Sequence, residues 1–231
     1  MIDVLLLSGL LCDERLWAAS VEDLAVRVHI PEMAEGNSIP AMADAILSRS
    51  PRRFAVAGFS LGSCVALEIF ARAPGRVTRL ALLSAAVHGP PDPVRQHYLR
   101  SIPAIESGGL SEYLQDAFPR YVAPHRAHDQ ALWEIFSGMG ESLGSAVAVR
   151  QMQALLDYPG YGGDLGAIRC PVAVIGGAED RRATPEVHAE LSRQIHGAVL
   201  TLIQGAGHFT PLEKPEAVKK ALRVWLSCPN G

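Results

Sequence analysis

An excess of charge of either sign is what this sequence most clearly lacks. Its 21 Lys and Arg stand against 24 Asp and Glu, for a formal net charge of −3 with both signs interspersed. Nucleic acid or an anionic membrane surface would call for a basic face, so neither is expected as a partner. No stretch approaches the roughly 18 apolar residues of a membrane helix. The opening MIDVLLLSGL carries an acid where a secretory signal carries basic residues, and Ser8 and Gly9 break its apolar run. The closing SCPNG has no prenylation pattern. Cysteine is sparse too: Cys12, Cys64, Cys170 and Cys228 lie far apart with no CxxC pair, which argues against zinc and against a disulfide framework. Cys64 falls on an apolar helical pattern and reads as a small core residue. The expectation is a soluble cytoplasmic protein with reduced thiols, no metal or cofactor, and a small-molecule substrate as its partner. No feature sets an oligomeric state.

What is present is material for one large core. The chain has 231 residues, and 48% are hydrophobic against 19% charged, a globular balance without a disordered segment. Short apolar runs recur at 2–8, 26–31, 54–59, 79–86, 171–177 and 198–205. They are near-continuous rather than alternating, which predicts strands covered on both faces of a parallel sheet. Helical periodicity fills the gaps at Ile39–Ser50, Leu61–Ala73, Pro185–Ile195 and Pro215–Ser227, with Pro185 and Pro215 where a first turn tolerates them. Strand and helix in alternation predict a mostly parallel, doubly wound α/β fold.

From His88 to Ala167 the rhythm stops. Only helical patterns occur, at Pro93–Glu106, Leu110–Tyr121, Asp129–Phe136 and Ser145–Asp157. An insertion between two parallel strands sits above their C-terminal ends, where open α/β sheets bind ligands. Residues 88–167 are therefore expected to form a helical cap on a core made of 1–87 and 168–231.

The chemistry concentrates in AVAGFSLGSC. Gly58-Phe59-Ser60-Leu61-Gly62 fits G-x-S-x-G, with a strand pattern before it and a helix pattern after it. A serine lifted on so sharp a turn needs small residues two before and two after, so that strand and helix can approach each other. At its ordinary pKa a serine is a poor nucleophile, so a base and an orienting acid are required elsewhere. Among eight histidines, His208 in QGAGHFTPLEKP follows a strand pattern directly and precedes the last helix. His29, His88, His97, His125, His128, His188 and His196 read as solvated or core residues. The pair His125 and His128 lacks the carboxylate partner motif of a metal site. For the acid, Asp180 just past the fifth run is favoured, with its neighbour Glu179 and the earlier Asp92 as alternatives.

At these residues the chain resembles the α/β-hydrolase superfamily, in its small esterase-like form with a helical cap. LLLSGLLCDERLW resembles the family's oxyanion segment, GFSLG its nucleophile elbow, CPVAVIGGAEDRRATP its acid segment and GAGHFTPLEKPEAV its histidine segment. The resemblance implies Ser60 as nucleophile, His208 as base and then acid, Asp180 as the orienting carboxylate, and the backbone N–H groups of Leu10 and Leu61 as the oxyanion hole. Ser8-Gly9 stands where many relatives have His-Gly. The chain starts at what is usually the third strand, so the sheet is expected to be shortened at its N-terminal edge. Within the cap, Phe118, Tyr121, Trp133, Phe136, Met139, Met152 and Tyr158 are candidate walls of an apolar pocket.

The function expected is hydrolysis of a small, largely apolar carboxylic ester, thioester or lactone through an acyl-enzyme. Two other uses of the same residues stay open: a ligand sensor with a slow triad, and a tailoring enzyme acting as cyclase, lyase or carbon–carbon bond hydrolase.

Overall fold

Six apolar runs that each need cover on both faces assemble into one sheet. The computed structural model describes residues 1–85 and 87–229. Its strands are β1 (Ile2–Leu7), β2 (Val26–His29), β3 (Phe54–Phe59), β4 (Val77–Leu83), β5 (Val172–Gly177) and β6 (Val199–Ile203). They lie in the order β2-β1-β3-β4-β5-β6, and every pair is parallel. Ala86, which ends the fourth predicted run, and Asn230 and Gly231 of SCPNG lie outside the described residues. All six residues of β3 and of β5 are buried, whereas the edge strands β2 and β6 are only partly so.

The continuous hydrophobicity conceals a period of two, because successive strand side chains point to opposite faces. Val4, Leu6, Ala55, Ala57 and Phe59 join one core cluster, and Leu5, Leu7, Phe54 and Val56 join the other. The helices are α1 (Ala18–Val21), α2 (Ile39–Arg49), α3 (Leu61–Arg72), α4 (Asp92–Glu106), α5 (Leu110–Tyr121), α6 (Gln130–Leu156), α7 (Pro185–Gln194), α8 (Thr210–Glu213) and α9 (Pro215–Ser227). Buried residues of α2, α3 and α7 complete the second cluster, and those of α9 belong to the first. The sheet is thus doubly wound, as expected. At α2 the Ser38 hydroxyl accepts the Ala41 N–H at 3.2 Å, a side-chain cap at a helix start.

The insertion between β4 and β5 holds α4, α5 and α6, which pack on one another. It is not purely helical: His88 and Gly160 form an isolated antiparallel bridge. The two predicted helices at Asp129–Phe136 and Ser145–Asp157 meet within α6 at Gly144, whose φ of 78° interrupts the helical path. The first stretch therefore runs on past Phe136. Gly140 lies within it, and Leu114 packs where its Cβ would stand, 2.6 Å from the leucine Cδ2.

The β3–α3 turn is the tightest constraint near the C-terminal edge of β1. A Cβ on Gly58 would lie 2.2 Å from the Gly62 carbonyl oxygen, and one on Gly62 would lie 2.1 Å from that of Leu7. Both obstacles are backbone, so neither can swing aside. Gly62→Ala is expected to destabilise the protein by about 3 kcal/mol, the upper end for overpacking a closed site. Gly75→Ala, with nothing within 4 Å of its new Cβ, should stay within about 0.5 kcal/mol of wild type. Urea denaturation midpoints of the two variants check this.

Candidate active site

Ser60 is the first residue after β3 and the N-cap of α3, and it adopts φ 53° and ψ −116°. A non-glycine residue there carries backbone strain, which persists only where the surroundings hold it. They do so from three sides. The Ser60 N–H donates to Leu83 O at 2.9 Å. The Ser63 hydroxyl donates to Gly58 O at 2.6 Å and lies 3.2 Å from Leu83 O. Gly58 and Gly62 let the strand and helix meet.

His208 arrives from the loop after β6 and Asp180 from the loop after β5. Ser60 Oγ lies 3.0 Å from His208 Nε2, and His208 Nδ1 lies 2.9 Å from Asp180 Oδ2. The other Asp180 oxygen accepts the N–H groups of Arg182 at 2.8 Å and Ala183 at 3.0 Å. Burial by itself pushes the Asp180 pKa up; the charge and hydrogen bond of His208, with the two amides, outweigh it and hold the carboxyl below its ordinary value. An ionised carboxylate at Nδ1 keeps that nitrogen protonated and leaves Nε2 to accept a proton from the serine.

The histidine loop is itself pinned. The His208 N–H donates to Tyr121 O at 2.7 Å, and the Ser84 hydroxyl donates to His208 O at 2.7 Å. Glu213, buried in α8, accepts the N–H of Gly207 at 3.0 Å and that of Ala123 at 2.8 Å. Burial pushes its pKa up, against the pull of those amides. One carboxyl thus ties the histidine loop to the segment after α5.

Leu10 lines the recess beside Ser60 and Leu61 opens α3, so both expected oxyanion donors border the serine. The Leu10 loop is held by a residue of the insertion: Gln151, fully buried in α6, accepts the Leu11 N–H at 2.8 Å and donates to Met33 O at 2.9 Å. Ser8 supplies an anchor of its own. Its hydroxyl donates to Asp13 O at 3.2 Å and accepts from Trp17 Nε1 at 3.1 Å.

A cleft opens over Ser60 and His208, walled by Val94, Tyr98, Leu155 and Tyr158 among others. A narrower recess continues past Tyr113, Tyr121, Phe136 and Phe209. Of the seven candidate wall residues, Tyr121, Phe136 and Tyr158 therefore face the site. The other four do not. Met139 and Met152 are fully buried in the core, and Phe118 and Trp133 line a separate outer groove with His128. A flexible thioether or large ring fills core volume as readily as it walls a pocket, and periodicity does not distinguish the two.

The alternative acids lie elsewhere. Asp92 is exposed at the start of α4, and Glu179 faces His125 with 3.6 Å between Nδ1 and Oε2. Of the seven histidines read as solvated or core, His188 is fully buried under β5, its Nδ1 3.0 Å from Thr184 O. His88 lines the cleft, which sequence reasoning did not find. It also missed Tyr98, Tyr113, Phe59, Phe209, Gln151, Glu213 and Arg182. Only Arg182 had a local signal, its place two residues past Asp180; the others come together through folding alone.

Comparison with known proteins adds the family. The model described as the Alpha/beta hydrolase family matches residues 4–221. A pimeloyl-[acyl-carrier protein] methyl ester esterase from Aromatoleum aromaticum is 25% identical over 93% of this chain and 94% of its own. A thermophilic esterase from Thermogutta terrifontis superposes with a TM-score of 0.86 at 23% identity, covering 98% of this chain and 89% of that one. An enol-lactonase from Burkholderia xenovorans does so with 0.85 at 20% identity, over 98% and 90%. Among the described residues no helix is long and apolar enough to cross a membrane.

Because the Asp180 pKa is depressed on folding, its contribution to stability is complete above the unfolded value of about 3.9 and is lost as pH falls through the folded one. The unfolding free energy of wild type is expected to fall more steeply between about pH 5 and pH 2 than that of Asp180→Asn. Urea titrations across that range, compared between the two proteins, measure the difference.

Proposed function

The chain belongs to the α/β-hydrolase family and is a hydrolase, and from that premise we propose that it cleaves a small, largely apolar carboxylic ester or lactone through an acyl-enzyme on Ser60. In this reading residues 88–167 serve as the cap over a core of 1–87 and 168–231. The observation that carries it is the unbroken hydrogen-bonded run from Ser60 through His208 to Asp180, at 3.0 and 2.9 Å, on the floor of a cleft.

The steps follow from that geometry. Ser60 Oγ attacks the ester carbonyl carbon while His208 Nε2 takes its proton, and Asp180 stabilises the resulting imidazolium. The tetrahedral oxyanion takes hydrogen bonds from the Leu61 and Leu10 N–H groups, each worth roughly 3–4 kcal/mol in the transition state. The intermediate collapses, the His208 proton leaves with the alcohol, and the acyl group stays on Ser60. Water then gives a proton to His208 and attacks the acyl carbon, and the acid departs as the serine recovers its proton. The esterase activity named for the Aromatoleum aromaticum relative supports an ester substrate.

Hydrolysis of a p-nitrophenyl ester series provides the test. Ser60→Ala is expected to abolish turnover, and Asp180→Asn to lower kcat by about a thousandfold or more. Asp92→Asn and Glu179→Gln should stay within about threefold of wild type, since neither side chain faces His208. Turnover that survives Ser60→Ala would remove the serine mechanism, and a single burst of p-nitrophenol without turnover would favour the sensor.

A further inference from the structure

One charge in the cleft has no part in the acyl-transfer steps. Arg182, between β5 and α7, lines the same cleft as Ser60 and His208. It makes no ion pair among the described residues. Its recorded side-chain hydrogen bond runs from Nη2 to Tyr98 Oη at 3.0 Å. The guanidinium carbon sits 4.7 Å from the Tyr121 ring centre and 5.9 Å from that of Tyr98. By contrast Arg15, Arg72 and Arg126 each face a carboxylate, and Arg76 and Arg79 donate to backbone carbonyls.

A guanidinium cannot shed its charge as a buried lysine can. Withdrawing it from water without a counter-charge is costly, and stacking on two tyrosine faces offsets only part of that. The groups around it donate as well. The Tyr113 hydroxyl is buried in the recess it shares with Ser60, Tyr98 and Tyr121. Burial first, and then the neighbouring phenols, push Tyr98 and Tyr113 up, so both keep an O–H. Tyr98 accepts from Arg182 at its hydroxyl oxygen. The cleft therefore offers a cationic fork and the Tyr98 phenol beside the nucleophile, with Val94 and Leu155 as apolar wall.

We propose that Arg182 determines specificity for a substrate bearing a free carboxylate: an ester or lactone with a second, ionised carboxyl group held by Arg182 while Ser60 attacks the ester carbonyl. This rests on the serine hydrolase reading above and narrows its substrate class. A carboxylate matches the planar fork two oxygens to two N–H groups. With Arg182 the only Lys or Arg among the described residues that line the cleft, the site suits a carboxylate monoanion better than a phosphate dianion. The apolar walls suit the methylenes between the two carbonyl groups.

The test pairs monomethyl esters of dicarboxylic acids of increasing chain length with methyl alkanoates of matched length. Wild type should prefer the charged member by about 10- to 100-fold in kcat/KM at the best length, chiefly through KM, as a hydrogen-bonded charge contributes. Arg182→Gln should erase that ratio, and Arg182→Lys should restore part of it. A wild-type enzyme indifferent to the charge at every length overturns the proposal, as does a preference that survives Arg182→Gln. Equal loss on both members of a pair also overturns it, because that would mark Arg182 as a strut between α4 and the acid loop. Should Arg182→Gln fail to fold, free dicarboxylates must inhibit hydrolysis of a neutral p-nitrophenyl ester by wild type far better than their diamides do. Calorimetric binding of the dicarboxylate to Ser60→Ala separates the two readings: it persists if Arg182 recognises the carboxylate even where the serine mechanism fails.

Discussion

No side chain fits between the start of α3 and the end of β1, and the geometry around Ser60 follows from that contact. Because Gly62 presses on the Leu7 carbonyl and Gly58 on Gly62 itself, the chain turns from β3 into α3 within one residue. Ser60 is left in a left-handed conformation that a looser turn would relax. Strand and helix thereby aim the hydroxyl out of the C-terminal edge of the sheet. The same device recurs at the other side of the site, where a Cβ on Gly177 would meet the Gly207 carbonyl oxygen at 2.0 Å. The loops after β5 and β6 can then lie against each other, with Asp180 behind His208. In a parallel sheet all strand ends of one kind fall on one edge, so three residues distant in sequence meet without any long excursion of the chain.

The helical insertion is bound into this edge rather than set beside it. It reaches the loop after β1 through Gln151, the acid loop through Tyr98 and Arg182, and the histidine loop through the Tyr121 carbonyl and Glu213. Each of these bonds is buried or partly buried, where a lost partner leaves an unsatisfied polar group. The insertion therefore helps position the loops it covers. A change in α6 at Gln151 would be felt at the Leu10 amide without touching the serine.

The cleft combines apolar walls with a single strong cation. That combination separates two kinds of reading which the sequence treats as one. Met139 and Met152 look like pocket material in the chain and are core; Arg182 looks like a solvated loop charge in EDRRATP and lines the cleft. The difference lies in which elements cover them. A residue in the insertion borders the cleft only if its helix face turns towards the sheet, and the interruption of α6 at Gly144 breaks the helical register that would show which face that is.

The sequence by itself determined the parallel α/β architecture and the turn carrying Ser60, singled out His208, and favoured Asp180 over Glu179 and Asp92 as the residues brought to it. These are local matters: unbroken apolar runs, glycines two residues either side of a serine, and a histidine or aspartate just past a strand. Only the tertiary structure decided which aromatic residues face the serine, that the Ser8 hydroxyl and Gln151 hold the loop after β1, that Glu213 holds the loop of His208, and that Arg182 stands in the cleft without a carboxylate. The physical reason is that each of these depends on contacts across dozens of residues, set by packing between the insertion and the sheet, which no run of neighbouring residues records.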